Sequence, residues 1–127
     1  MNIQPRRSVI PIYTSRGDAE AFLVFPYLHN RLGEWIGWVS ADRQVYSVLG
    51  IYVGDLTAEP RIVRNRITAT FKPRKTPPAC PPRLAVPATI PLAPLMGDLR
   101  SGVMDVLLEM PGRLHTLDAG ELRKDLD

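Results

Sequence analysis

The chain has 127 residues, 45% hydrophobic and 23% charged, with a formal net charge of +3; that size fits one domain and a tail. Its single cysteine excludes a disulfide within the chain, and its two histidines lack metal-ligand spacing. No apolar run reaches the ~20 residues a membrane helix requires.

In chain order, residues 1–8 read as a polar arm without the apolar run of a secretion signal, which predicts a cytoplasmic protein. Residues 9–71 hold the aromatic and β-branched stock and an internal echo. Gly33-Glu34-Trp35-Ile36-Gly37 is answered seventeen residues later by Gly50-Ile51-Tyr52-Val53-Gly54, and a weaker copy begins at Gly17, where Ala21 takes the small-residue place. Val39 answers Leu56 and Val45 answers Ile62 at the same offset, with polar turn-like segments between them. Each unit therefore reads as strand, turn, strand, turn. Glycine at the opening position suits a turn with positive φ, and the small residue four places later suits close approach of another backbone. The predicted turn and close-packing residues are thus Gly17, Gly33, Gly37, Gly50 and Gly54. One hairpin buries too little to stand alone, so several must share a core in a closed or flower-like all-β arrangement. A core of ~60 residues is marginal by itself, which makes self-association an expectation.

The strings Asn30–Val39 and Tyr46–Gly54 resemble the repeat of the 4-fold β-flower proteins, in which an aromatic-x-x-x-Gly turn leads into a strand with a small residue. Tyr13 with Gly17 and Tyr46 with Gly50 match that pattern, while His29 replaces the aromatic before Gly33. The resemblance spans about residues 9–67. It implies a shallow, roughly four-fold set of hairpins around a central apolar channel, with no assigned reaction. Trp35, Ile36, Trp38 and Tyr52 are the candidates for lining that channel or touching a ligand in it.

Residues 72–91 are proline-rich and basic and read as an extended linker. Residues 92–111 carry Leu95, Leu99, Val103, Val106, Leu107 and Met110 at three- and four-residue steps, which predicts an amphipathic helix stopped by Pro111-Gly112. Its apolar stripe either covers the domain's own core or docks in a partner's groove. Residues 112–127 read as a polar tail or short helix, with helical character from about Ala119 to Leu126.

Arg61, Arg64, Arg66, Lys72, Arg74 and Lys75 form a basic run suited to phosphate contact, which makes nucleic acid or an anionic surface the alternative partner. No recognition helix or phosphate loop accompanies it. Pro78-Ala79-Cys80-Pro81-Pro82-Arg83 has the form of a groove-binding proline motif that such a composition produces unaided. Paired acids such as Glu34 with Asp42, or Asp55 with Glu59, belong to turns, so a hydrolytic site between repeats is the least favoured reading. The expectation is a non-catalytic protein-binding or assembly module, with no cofactor and no metal, whose partner is a second copy or another protein.

Overall fold

A computed structural model describes residues 8–67 and 72–119. Among them, eight strands form one antiparallel meander in sequence order: β1 (Ile10–Tyr13), β2 (Ala19–Val24), β3 (Tyr27–His29), β4 (Trp35–Val39), β5 (Gln44–Ser47), β6 (Tyr52–Leu56), β7 (Ile62–Asn65) and β8 (Val103–Asp105). Repeated hairpins curl into a half-barrel that short C-terminal helices complete. The all-β hairpin architecture is thus as expected.

The repeat is a backbone device. Thr14, Asn30 and Ser47 each open a turn on one rim and accept a local amide with the side chain, from Arg16, Leu32 and Leu49 respectively. Three residues on, Gly17, Gly33 and Gly50 take φ of 90°, 82° and 80°, a region open to glycine and costly for other residues. Three residues further, the pairing skips Glu20, Ile36 and Val53, one extra residue per repeat. These β-bulges bend each strand at the same place, which curls the sheet.

The small residues follow the bulges. A Cβ on Gly37 would stand 2.5 Å from the Tyr46 carbonyl oxygen and 2.8 Å from Leu114 Cδ2; one on Gly54 would stand 2.6 Å from the Val63 carbonyl oxygen and 3.3 Å from Val106 Cγ2. The glycines therefore admit both a neighbouring strand and a side chain from the far end of the chain. The core joins Ile12, Ala21, Leu23, Leu28, Ile36, Val39, Val45, Val53, Leu56 and Ile62 to Val106, Leu107 and Leu114.

The C-terminal half departs from expectation. Helix α1 spans only Val106–Glu109, followed by a 3-10 turn at Pro111–Arg113. Residues 92–100 are irregular, and Val103–Asp105 pair with β7. Gly97, Gly102 and the prolines at 91 and 94 oppose a helix there, and β7 offers Val103 an open strand edge instead. Residues 117–119 begin a helical turn; the rest of the predicted tail helix, like most of the N-terminal arm, lies outside the described residues.

The proline-rich stretch is a strap across the turn rim and differs from the expected free linker. The Lys75 N–H donates to the Gly50 carbonyl at 3.0 Å and the Leu84 N–H to the Gly33 carbonyl at 2.9 Å. Farther along, the Tyr13 hydroxyl donates to the Pro91 carbonyl at 2.8 Å, and Ala93 Cβ faces Gly17. The strap thus visits the three glycine turns in reverse order, at residues 75, 84 and 93.

Candidate functional site

Three surfaces gather polar or apolar groups. The first is a seam where the ends of the sheet meet. The Tyr13 N–H donates to the Pro60 carbonyl at 3.1 Å. Ser15 donates through its N–H and its Oγ to Asp105 Oδ2, at 2.6 and 2.7 Å. Arg61 donates from Nη1 to Ser15 Oγ at 3.0 Å, and from Nη2 to Glu59 Oε2 at 2.6 Å and the Gly97 carbonyl at 3.2 Å. Arg61 is 4% exposed and Asp105 1% exposed. A buried charge is held only when paired and hydrogen-bonded, and here the bonds tie β1 to the start of α1 and to the β6–β7 turn. Asp105 also caps α1, accepting from the Leu108 N–H at 3.3 Å, while its own N–H donates to Glu109 Oε2 at 3.1 Å. Clefts of about 320 and 290 Å³ flank Arg61. Apart from those that cap α1, the network's bonds join the two ends of the sheet.

The second surface is an aromatic row. Tyr27, Trp38, Tyr46 and Tyr52 are direct partners across β3 to β6. Trp38 stacks on Tyr46 with centroids 4.7 Å apart, and Tyr52 meets Tyr46 edge-on at 6.0 Å. Lys75 Nζ lies 5.2 Å over the Tyr46 ring, while Lys72 Nζ and Arg64 Cζ lie 4.7 and 5.5 Å over Tyr52. Burial, with the hydrogen bond to Asp55, holds the Tyr52 phenol far above its usual pKa. Trp38 and Tyr46 stack, Tyr52 packs edge-on against Tyr46, and the cations over Tyr46 and Tyr52 hold the start of the strap.

These placements redistribute the residues singled out in the sequence. Of the channel candidates, Ile36 lies in the core with Leu114, Trp35 is buried with its indole N–H on the Gly37 carbonyl, and Trp38 and Tyr52 belong to the row. Of the basic run, Arg61 is buried and paired, Arg66 pairs with Glu109, and Arg64, Lys72 and Lys75 face rings; Arg74 is exposed. Of the helix stripe, Val106 and Leu107 fill the core, Val103 sits in β8, Leu99 and Met110 are half-buried and Leu95 is fully exposed.

The third surface is a cleft of about 480 Å³ between the first glycine turn and the end of the strap, walled by Gly17, Asp18, Glu20 and Arg31 on one side and by Ile90 and Leu92 on the other. Leu92 is 95% exposed and Leu95 completely so, on a strap whose backbone is pinned at Pro91 by Tyr13. Leu92 and Leu95 thus hold large apolar side chains in solvent on fixed backbone. Sequence reasoning read Leu92 and Leu95 as part of a helix stripe and Asp18 as a turn residue, and passed over Ile90; the signal available was the run of apolar residues at 90, 92 and 95 in a segment too interrupted for a helix.

Among the described residues, no three His, Cys, Asp or Glu side chains gather to hold a metal ion, and no helix is long and apolar enough to cross a membrane. No family model matches the chain, and no curated protein or solved structure matches it.

Proposed function

We propose that the chain is a non-catalytic protein-binding module that works by self-association or by holding another protein against the end of its strap. The observation that carries this reading is the full exposure of Leu92 and Leu95 beside the rim cleft, on backbone tied to β1 through Tyr13. Desolvating two leucines supplies about 3–6 kcal/mol, a useful share of a protein contact. The reading is favoured over phosphate binding because five of the six basic candidates are engaged with carboxylates or rings within the chain. The likeness of the repeat to β-flower domains agrees with a scaffold role and is not required by it.

The native mass of the tagged full chain, purified from its host under gentle conditions, tests the reading. We expect a species heavier than the 14.2 kDa monomer, reduced to the monomer by Leu92→Asp with Leu95→Asp. A bare monomer with or without these substitutions overturns the leucine patch as the contact that carries it.

A further inference from the structure

The three glycine turns on the rim are equivalent in backbone, yet the strap engages them unequally. At Gly50 and Gly33 a strap amide donates to the glycine carbonyl, from Lys75 and Leu84. The carbonyl of the same strap residue then fills the space where a Cβ would stand, 2.0 Å from it in both cases, and both glycines are buried. At Gly17 the strap has lifted. Ala93, the residue in the corresponding place, approaches only through its Cβ at 3.7 Å, Gly17 is exposed, and among the described residues no strap amide reaches its carbonyl. The 480 Å³ cleft opens at this point.

We infer that the Gly17 turn is an open receptor site for an extended, arginine-bearing, proline-rich peptide of a partner protein, bound as the strap binds at Gly33. This rests on the protein-binding reading above and names the partner's chemistry. The filled Gly33 site supplies the template. There Leu84 donates its N–H to the glycine carbonyl, and the preceding Arg83 donates from Nε to the Leu32 carbonyl at 2.8 Å. The residue that corresponds to Leu32 in the first turn is Arg16, and its carbonyl is the matching acceptor. Asp18 and Glu20 place two carboxylates on the cleft wall for an incoming guanidinium, against the cations of Arg31 on the wall and Arg16 beside it. Ile90 and Leu92 form an apolar lip for the flanking prolines. Such backbone-led capture of an extended segment needs little side-chain identity beyond the arginine and one free amide.

The probe is a capped peptide copying residues 81–87 (Pro-Pro-Arg-Leu-Ala-Val-Pro), titrated into the isotope-labelled full chain and followed by amide chemical shifts. Saturable shifts confined to residues 15–20 and 90–93 are expected, with Gly33 and Gly50 unmoved. Replacing the peptide's leucine by proline removes the donor N–H and should weaken binding about tenfold or more. Gly17→Ala in the chain should do the same, and because its Cβ would meet only Ala93 Cβ at an ordinary contact distance of 3.7 Å the fold persists, which an unchanged remainder of the spectrum verifies. Asp18→Asn with Glu20→Gln should weaken the arginine peptide but not its glutamine counterpart. Absence of saturation at millimolar peptide, equal binding of the proline-substituted peptide, or shifts centred on Gly33 and Gly50 would overturn the site. If the peptide fails while the native mass still falls on substitution of Leu92 and Leu95, only the Gly17 site is lost. If the peptide binds and the purified chain is always monomeric, the site stands and the leucine patch is discarded.

Discussion

Leu84 donates its backbone N–H to the Gly33 carbonyl at 2.9 Å, and the Leu84 carbonyl occupies the place a Gly33 side chain would need. The contact runs between main chains fifty-one positions apart and makes the glycine indispensable twice, once for its turn and once for the strap.

Gly33→Ala and Gly50→Ala should each destabilise by about 2–5 kcal/mol, summing a left-handed backbone cost of about 1–2 kcal/mol and forced displacement of the strap of about 1–3 kcal/mol. Gly17→Ala carries only the first cost, since its Cβ meets nothing closer than 3.7 Å. Urea denaturation of the three variants checks the contrast; equal losses at all three positions would refute a special grip at Gly33 and Gly50.

His29 is buried, with Nδ1 3.1 Å from the same Gly33 carbonyl, which makes Nδ1 the protonated nitrogen of the neutral ring. Burial lowers its pKa, partly opposed by that hydrogen bond. The unfolded chain then binds the proton more readily than the folded one. Stability should therefore be full above the unfolded value of about 6.5, fall as the pH drops through it, and level off below the folded pKa. Urea midpoints between pH 8 and pH 5 measure this. His29→Asn, which keeps a donor near the carbonyl without titrating, should flatten the His29 share of the slope.

Leu114 packs over Gly37 in the sheet interior. Leu114→Ala should cost about 2–5 kcal/mol through the cavity it leaves. Gly37→Ala should be less harmful in the Leu114→Ala background than in the parent, because the clash with Leu114 Cδ2 is relieved, but still harmful, because the Tyr46 carbonyl remains 2.5 Å away. A double-mutant cycle by equilibrium unfolding reads the coupling; strict additivity would show that the two do not share this space.

Asp105 receives two bonds from Ser15 and one from Leu108 while buried. Asp105→Asn replaces an acceptor oxygen with an N–H₂ facing donors and should cost about 3 kcal/mol. Amide hydrogen exchange should accelerate first at Tyr13 and Ser15, where β1 meets the seam. Protection lost evenly over the whole sheet would argue against a local latch.

Much of the meander was legible in residue identity. Gly17, Gly33 and Gly50 need positive φ, and Gly37 and Gly54 meet a neighbouring backbone, so selection on sterics leaves a visible mark at fixed offsets. The strap was opaque because the amides of Lys75 and Leu84 do its binding, and a backbone donor leaves no signature beyond not being proline. The predicted helix failed for a different reason. Val103, Val106, Leu107 and Met110 keep a helical spacing, yet the first lies in β8 and the next two enter the core from a single turn. Short apolar runs fit either period, and tertiary pairing with β7 decides between them. The burial of Arg61 within the basic run was not legible, because it is fixed by Glu59, Ser15 and Gly97 rather than by its neighbours in sequence.

The reverse-order crossing of the glycine turns has a kinetic consequence. Taken alone, the bond between Tyr13 and Pro91 would close a separation of 78 positions, a slow search for a free chain. Once Lys75 has found Gly50, however, each later contact asks only that nine further strap residues settle against the adjacent hairpin. The strap should close like a zip from the third turn to the first and open from the opposite end. The first turn, which the strap grips least, is then the last it reaches.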